Sequence, residues 1–401
     1  MKAHHLIPLI VLAGCAESSD LPQDPTQPTS NLIAPSFVPL PIAGAIWSTA
    51  YGVSSNGWLA GEVDVSDVEW HAARWRLDAA TGVATLEDLG DLNDRITVGF
   101  DVNASGVVVG GSEEAAFGLG PGPDEAFVYR NGVMETLPTL GGPGGFARRI
   151  NNSGWITGFS DAADGTTHPV VWRPDGNGGY EVIDLGTLGG TFGWGNTITE
   201  DGKVVGLNET PGGAVRAWYW SGSGPVTLLP SLTEGGANYA VDLNARGLIV
   251  GNGTDAAGFY HATIWRNGLI HDINHRFPGM AYSFATGINA EGWMAVDAFT
   301  GDFTAHGFAA KGDRVVDLNA VAGSSGADVF DISDQGWVAG TAVVEGVNNA
   351  AVWLLHGGGA LRADHVKVDA PTVTVSPAHG RVKALMMRRL LSGARKGGKD
   401  E

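Results

Sequence analysis

Seven times along the chain an aliphatic residue is followed by Asn, Ser or Thr, two further and mostly polar residues, and a glycine. The copies are Val53-Ser54-Ser55-Asn56-Gly57, Val102-Asn103-Ala104-Ser105-Gly106, Ile150-Asn151-Asn152-Ser153-Gly154, Ile198-Thr199-Glu200-Asp201-Gly202, Leu243-Asn244-Ala245-Arg246-Gly247, Ile288-Asn289-Ala290-Glu291-Gly292 and Ile332-Ser333-Asp334-Gln335-Gly336. Successive anchor glycines stand 49, 48, 48, 45, 45 and 44 residues apart. So regular a period marks a repeat architecture, in which each unit presents the same surfaces to two neighbours. A second glycine follows four residues later as Gly61, Gly110, Gly158, Gly206, Gly251 and Gly340; Val296 breaks the column.

Each unit then carries a third segment in which a large aromatic stands four residues after a polar head. These pairs are His71 and Trp75, Glu125 and Tyr129, His168 and Trp172, Arg216 and Trp220, His261 and Trp265, and Asn349 and Trp353. Unit six departs, with Ala310 four residues after His306. Positions i and i+4 of a strand share a face, so head and aromatic point the same way. A turn follows, Asn-Gly at 131–132 and at 267–268, the pair that favours a tight hairpin with positive φ. A fourth segment closes the unit, as in Val182-Ile183-Asp184-Leu185. Four short strands repeated seven times predict an all-β fold, a seven-bladed β-propeller of four-stranded blades over residues 45–365. The repeated aromatic is expected to fill the gap between adjacent twisted sheets. An open β-solenoid is the rival, but its coils are usually shorter and need end caps.

The wording of the unit also resembles the bacterial extracellular HAF-repeat family. Asp184-Leu185-Gly186-Thr187-Leu188-Gly189-Gly190 matches that family's unit ending, Leu137 to Gly142 match it in part, and His71-Ala72-Ala73 and His261-Ala262-Thr263 match its head. The resemblance implies an exported repeat protein and carries no catalytic residues to transfer.

At the N-terminus, Lys2, the apolar run Leu6 to Ala13 and Leu12-Ala13-Gly14-Cys15 resemble a bacterial lipoprotein signal with its lipobox over residues 1–15. The resemblance implies lipidation of Cys15, which makes the membrane a partner through that anchor, and with Ala16 next, outer-membrane rather than inner-membrane delivery in the cell envelope. Residues 16–44 hold six prolines among polar residues and read as a tether, although the more apolar Ile33 to Ile42 offer an extra strand. Residues 366–401 form a C-terminal extension whose last 21 residues carry a net +5, with apolar residues along one arc of a possible helix.

The chain as a whole carries −19, which opposes phosphate backbones and excludes nucleic acid as a partner for its bulk. With Cys15 the sole cysteine, neither an intrachain disulfide nor a Cys-based zinc site is available. Gly-x-Ser-x-Gly, His-Glu-x-x-His and phosphate-loop motifs are missing, so no catalytic residue is assigned. Four histidines, His71, His168, His261 and His306, recur in phase; lying on different blades, they are expected to serve structure rather than to converge on a metal.

Carboxylates are sorted more unevenly. The loops joining second and third strands hold fourteen Asp or Glu and no Lys or Arg, and by topology they share a face with the connections between blades. Glu62, Asp64, Asp67, Glu113, Glu114, Asp161, Asp164, Glu209, Asp255, Asp302 and Glu345 are the candidate binding face. No loop has EF-hand spacing, so no cofactor is assigned, with calcium the one ion an acidic rim leaves open. These observations predict a monomeric, lipid-anchored extracytoplasmic protein, a non-catalytic platform whose protein, glycan or cation ligand lies on the acidic face or in the central channel. The alternatives are a hydrolase or lyase acting on a polysaccharide or cell-wall polymer, in which carboxylates from distant blades leave no local motif, and a structural envelope component.

Overall fold

The computed structural model describes residues 35–355 except 43–44, 46, 67–68, 114–123 and 345. Cys15, most of the tether, the C-terminal extension, Asp67, Glu114 and Glu345 lie outside the described residues. Seven four-stranded antiparallel sheets form a seven-bladed β-propeller, as the repeat predicts. The third blade shows the pattern: inner strand Gly141–Ile150, then Ile156–Ala162, Thr167–Pro174 and outer strand Tyr180–Asp184. Among the described residues, no helix is long and apolar enough to cross a membrane.

Each column of the repeat now has a physical reason. The anchor glycines all adopt positive φ, from +76° to +97°, in the turn between first and second strands. A side chain is strained there. The Asn before that turn works in two directions. Asn151 Oδ1 accepts the Trp155 backbone N–H (2.9 Å), and its Nδ2 donates to the Thr199 carbonyl of the next blade (3.0 Å). Asn103, Asn244 and Asn289 repeat this link to Asn151, Asn289 and Ser333. In the second column, a Cβ on Gly61, Gly110, Gly158, Gly206, Gly251 or Gly340 would run into a carbonyl oxygen of the adjoining inner strand.

The recurrent aromatics fill the gaps between blades. Trp75, Trp172 and Trp353 are fully buried, and Tyr129, Trp220 and Trp265 nearly so. Trp172 packs with Val109, Ala126 and Val128 of the preceding blade. Its indole N–H reaches the Pro138 carbonyl in the connection from that blade (2.7 Å), and Trp265 does likewise to Pro230 (2.8 Å). Blade six, where the aromatic is missing, is repaired in two ways. Val296 replaces the usual glycine in the same apolar cluster as Ala310, a larger residue where the aromatic position has shrunk. Phe277, just beyond a short helical turn at Asn274–Arg276, enters that cluster and contacts Phe308 at 5.2 Å.

Ring closure comes from the segment read as the end of the tether. Ser36–Pro39 pairs antiparallel with Val347–Leu354 and becomes the outer strand of blade seven, so the ring draws on residues ahead of position 45. Proline suits this position, an edge strand with no further ladder to supply. First and last blades then meet directly. Trp75 shares a cluster with Ala339, Ala350 and Val352, and the Val53 N–H donates to Asp331 Oδ2 at 3.0 Å.

Candidate functional site

Every inner strand carries a bulge at the same place, two residues before the anchor aliphatic. A bulge breaks the two-residue alternation and re-aims one side chain. The residues so placed are Tyr51, Phe100, Arg148, Asn196, Val241, Thr286 and Phe330, around the central axis from blade one to blade seven. They differ from blade to blade, and all but Asn196 are partly exposed although they stand on the innermost strands. Solvent therefore reaches them through the channel.

One arc of this ring is aromatic. Tyr51 stacks on Phe100 at 4.9 Å and tilts against Phe330 at 4.9 Å. Arg148 comes next, its guanidinium 5.6 Å from the Phe100 ring and 5.9 Å from the Trp194 ring. It makes no hydrogen bond or ion pair with any described residue. Burial, and then the charge on Arg149, lower its pKa to about 10, so it remains a cation at neutral pH.

One residue further along, the channel is plugged. Arg149 reaches from blade three to Asp331 of blade seven (3.0 Å) and lies 3.7 Å from Asp101 of blade two. Burial opposes its charge, but Asp331, Asp101 and Asp242 together raise its pKa. The acids also fasten blades to one another: Asp101 accepts the Ile150 N–H (2.9 Å) and Asp242 the Ile288 N–H (2.7 Å). Burial pushes Asp101 up to about 7 despite Arg149, and raises Asp242. Below the plug, on the face of the anchor turns, a cavity of about 200 Å³ is lined by Asp101, Arg149, Asp242 and Asp331 and by none of the bulged residues. It is smaller than the roughly 300–1,000 Å³ of typical small-molecule sites.

The sequence-predicted carboxylates divide into two groups. Glu62 and Asp64 are buried within a second strand rather than held on a loop. Glu62 accepts a hydrogen bond from Tyr51 Oη (2.8 Å), and burial, with Glu113 and Asp64 nearby, pushes its pKa up to about 8. It is therefore a neutral acid at pH 7. Glu113 likewise ends a second strand; the others serve loops, Asp161, Asp164, Asp255 and Asp302 their own and Glu209 the connection that enters its blade. Asp164 accepts from Thr166 Oγ1 (2.6 Å), Asp255 from the Phe259 N–H (2.8 Å), Asp302 from Thr304 Oγ1 (3.1 Å), Asp161 from Thr167 Oγ1 (2.8 Å) and Glu209 from Thr191 Oγ1 (2.7 Å).

Three of the phased histidines find partners within their own blades. His71, His168 and His261 each place Nδ1 against an Asp at the end of the outer-strand segment, Asp88 (3.0 Å), Asp184 (2.9 Å) and Asp272 (2.6 Å). Asp184 also accepts the Gly186 N–H (2.7 Å), so the Asp-Leu-Gly ending builds a turn and clamps the histidine together. His71 Nε2 additionally faces Glu69 (3.4 Å) and Asp91 (3.7 Å).

The channel residues escape a reading of the sequence because a bulge destroys the period from which facing is inferred. The available signal is variability: the two positions before each anchor aliphatic change chemistry from unit to unit while their flanks repeat.

No family model matches the chain, and no curated protein matches it significantly in sequence. Solved structures do resemble it. A puromycin hydrolase is 15% identical, with a TM-score of 0.51 over 77% of this chain and 52% of that one, so the likeness spans about half of the hydrolase. Virginiamycin B lyase from Staphylococcus aureus is 12% identical, with a TM-score of 0.43 over 80% of this chain and 99% of the lyase. AofleA from Arthrobotrys oligospora is 10% identical, with a TM-score of 0.37 over 71% and 90%. At such identities the likeness is one of fold alone: the chain is a β-propeller repeat protein.

Proposed function

We propose that this propeller is a non-catalytic binding platform, that its ligand enters the central channel from the face opposite the anchor turns, and that Cys15 anchors it by lipid in the outer membrane. The HAF-like wording of the repeat and the lipobox support the extracytoplasmic part of this reading. The observation that carries the binding part is the bulge ring, seven matched positions around the channel that carry different chemistry in different blades. A scaffold needing only to close would have no use for the partly exposed rings of Tyr51, Phe100 and Phe330 there.

A hydrolase would need an acid within hydrogen-bond reach of the bond it protonates. Glu62 has the raised pKa for that task but is 1% exposed, which favours the platform. The test is a screen of glycans, peptides and aromatic small molecules against the full chain, read by tryptophan fluorescence and repeated on Phe100→Ala. Ligands whose binding is lost in the variant support the reading; ligands bound equally by both proteins, or turned over, overturn it. Lipid attachment is tested separately by labelling with a radioactive fatty acid, which Cys15→Ser should abolish.

A further inference from the structure

Arg148 is the one residue of the bulge ring whose charge the described residues leave unanswered. Its neighbour Arg149 has Asp331, Asp101 and Asp242; Arg148 has only the rings of Phe100 and Trp194. A guanidinium carries five N–H donors in a planar fork, and contact with aromatic faces leaves those edge donors unsatisfied. Partly exposed in the channel, the charge has no ionic partner among the described residues and its donors stay open to whatever enters. Here it stands beside an aromatic arc in a channel closed at one end.

We propose that the channel takes an organic monocarboxylate, its carboxylate bound by the Arg148 guanidinium and its apolar, aromatic body laid against Phe100, Tyr51 and Phe330. This deepens the binding-platform reading and rests on it. The fork geometry of guanidinium matches a carboxylate with two parallel hydrogen bonds, and the stacked rings supply the face on which an aromatic body lies. The surroundings restrict the charge of the ligand. Asp328 acts on Tyr51, and the plug holds three more carboxylates around Arg149. One negative charge is answered by Arg148, while a second, as on a phosphate or dicarboxylate, would face these acids. The plug also fixes the direction of entry, since the cavity on the anchor-turn face does not reach the bulged residues.

The experiment compares indole-3-acetate with its neutral amide by calorimetry on the full chain, with inorganic phosphate as a third probe. The acid is expected to bind at least about tenfold more tightly than the amide, and phosphate not to compete. Arg148→Gln should reduce the acid to the affinity of the amide, and Arg148→Lys should restore part of the preference. Equal binding of acid and amide by the unmodified protein overturns the proposal without any variant. So does a preference for the acid that survives in Arg148→Gln, or competition by phosphate. If the amide binds in a way that needs Phe100 but ignores Arg148, the channel reading stands and the carboxylate assignment falls. Absence of binding by both probes up to about 1 mM overturns both.

Discussion

The surfaces between blades and the surface around the axis are built from the same seven units under opposite rules. Between blades the residues repeat: the anchor Asn ladder, the glycine under the inner-strand carbonyl and the buried aromatic recur, and where blade six departs, Val296 and Phe277 refill the space. Around the axis the bulge positions run from an aromatic arc of Phe330, Tyr51 and Phe100 to Arg148, Asn196, Val241 and Thr286, with no residue type shared all round. Closure makes one demand seven times, so it selects one answer. Recognition of an asymmetric ligand makes seven different demands, and a repeat answers it by breaking its own rule at one column.

The sharpest way to break this contrast is to cut a between-blade column. Trp172→Ala removes a fully buried indole that packs on blade two and bonds to the Pro138 carbonyl. Its expected cost is about 3–5 kcal/mol in chemical denaturation, among the largest that one substitution produces. A loss below about 1 kcal/mol would show that the blades do not depend on this column for their packing.

Much of that column is legible in the sequence, because Trp172 recurs in phase and its strand pairs on both sides without a bulge. Gly154 and the Asn131-Gly132 turn are equally legible, since positive φ leaves few alternatives to Gly and Asn. The strand Ser36–Pro39 announces itself only through its apolar character. Its pairing with Val347–Leu354 joins opposite ends of the ring, and a four-residue strand without a repeat mate carries no local sign of its partner. The plug is hidden for a related reason. Asp101, Arg149, Asp242 and Asp331 come from four blades, and the bulge beside each of them removes the periodicity by which their direction would be inferred. The candidate acids are visible as residues but not as environments: Glu62 reads as a loop carboxylate and is a buried neutral acid.

That environment gives the second effect, smaller when read over the single unit from pH 7 to 8. Glu62 has a pKa of about 8 in the folded chain against 4.5 ordinarily, so the folded state holds a proton that the unfolded state releases. Stability is then greatest below the ordinary carboxylate range and falls as pH rises toward 8, by roughly 1.4 kcal/mol per pH unit for one proton. Asp101, raised to about 7, adds to the same slope up to neutrality. Glu62→Gln should flatten the decline between pH 7 and 8 and leave the part below pH 7 that Asp101 supplies. Denaturation midpoints at pH 5, 6.5 and 8 measure it, and an unchanged slope in the variant would assign the dependence elsewhere.

The smallest expected effect is the most informative about the axis. Arg148→Met keeps a long side chain between Phe100 and Trp194 and removes a charge that has no ionic partner among the described residues. A paired charge cannot be deleted so cheaply, because its partner is left buried and alone; Arg149→Met would strand Asp101, Asp242 and Asp331. For Arg148 the change in stability should lie within about 0.5 kcal/mol of zero, or be a gain, as expected where a residue is retained for something other than folding. Matched denaturation of the two methionine variants makes the comparison. If Arg148→Met destabilises the chain as much as Arg149→Met does, the guanidinium belongs to the scaffold, and the bulge ring follows the same rule as the surfaces between blades.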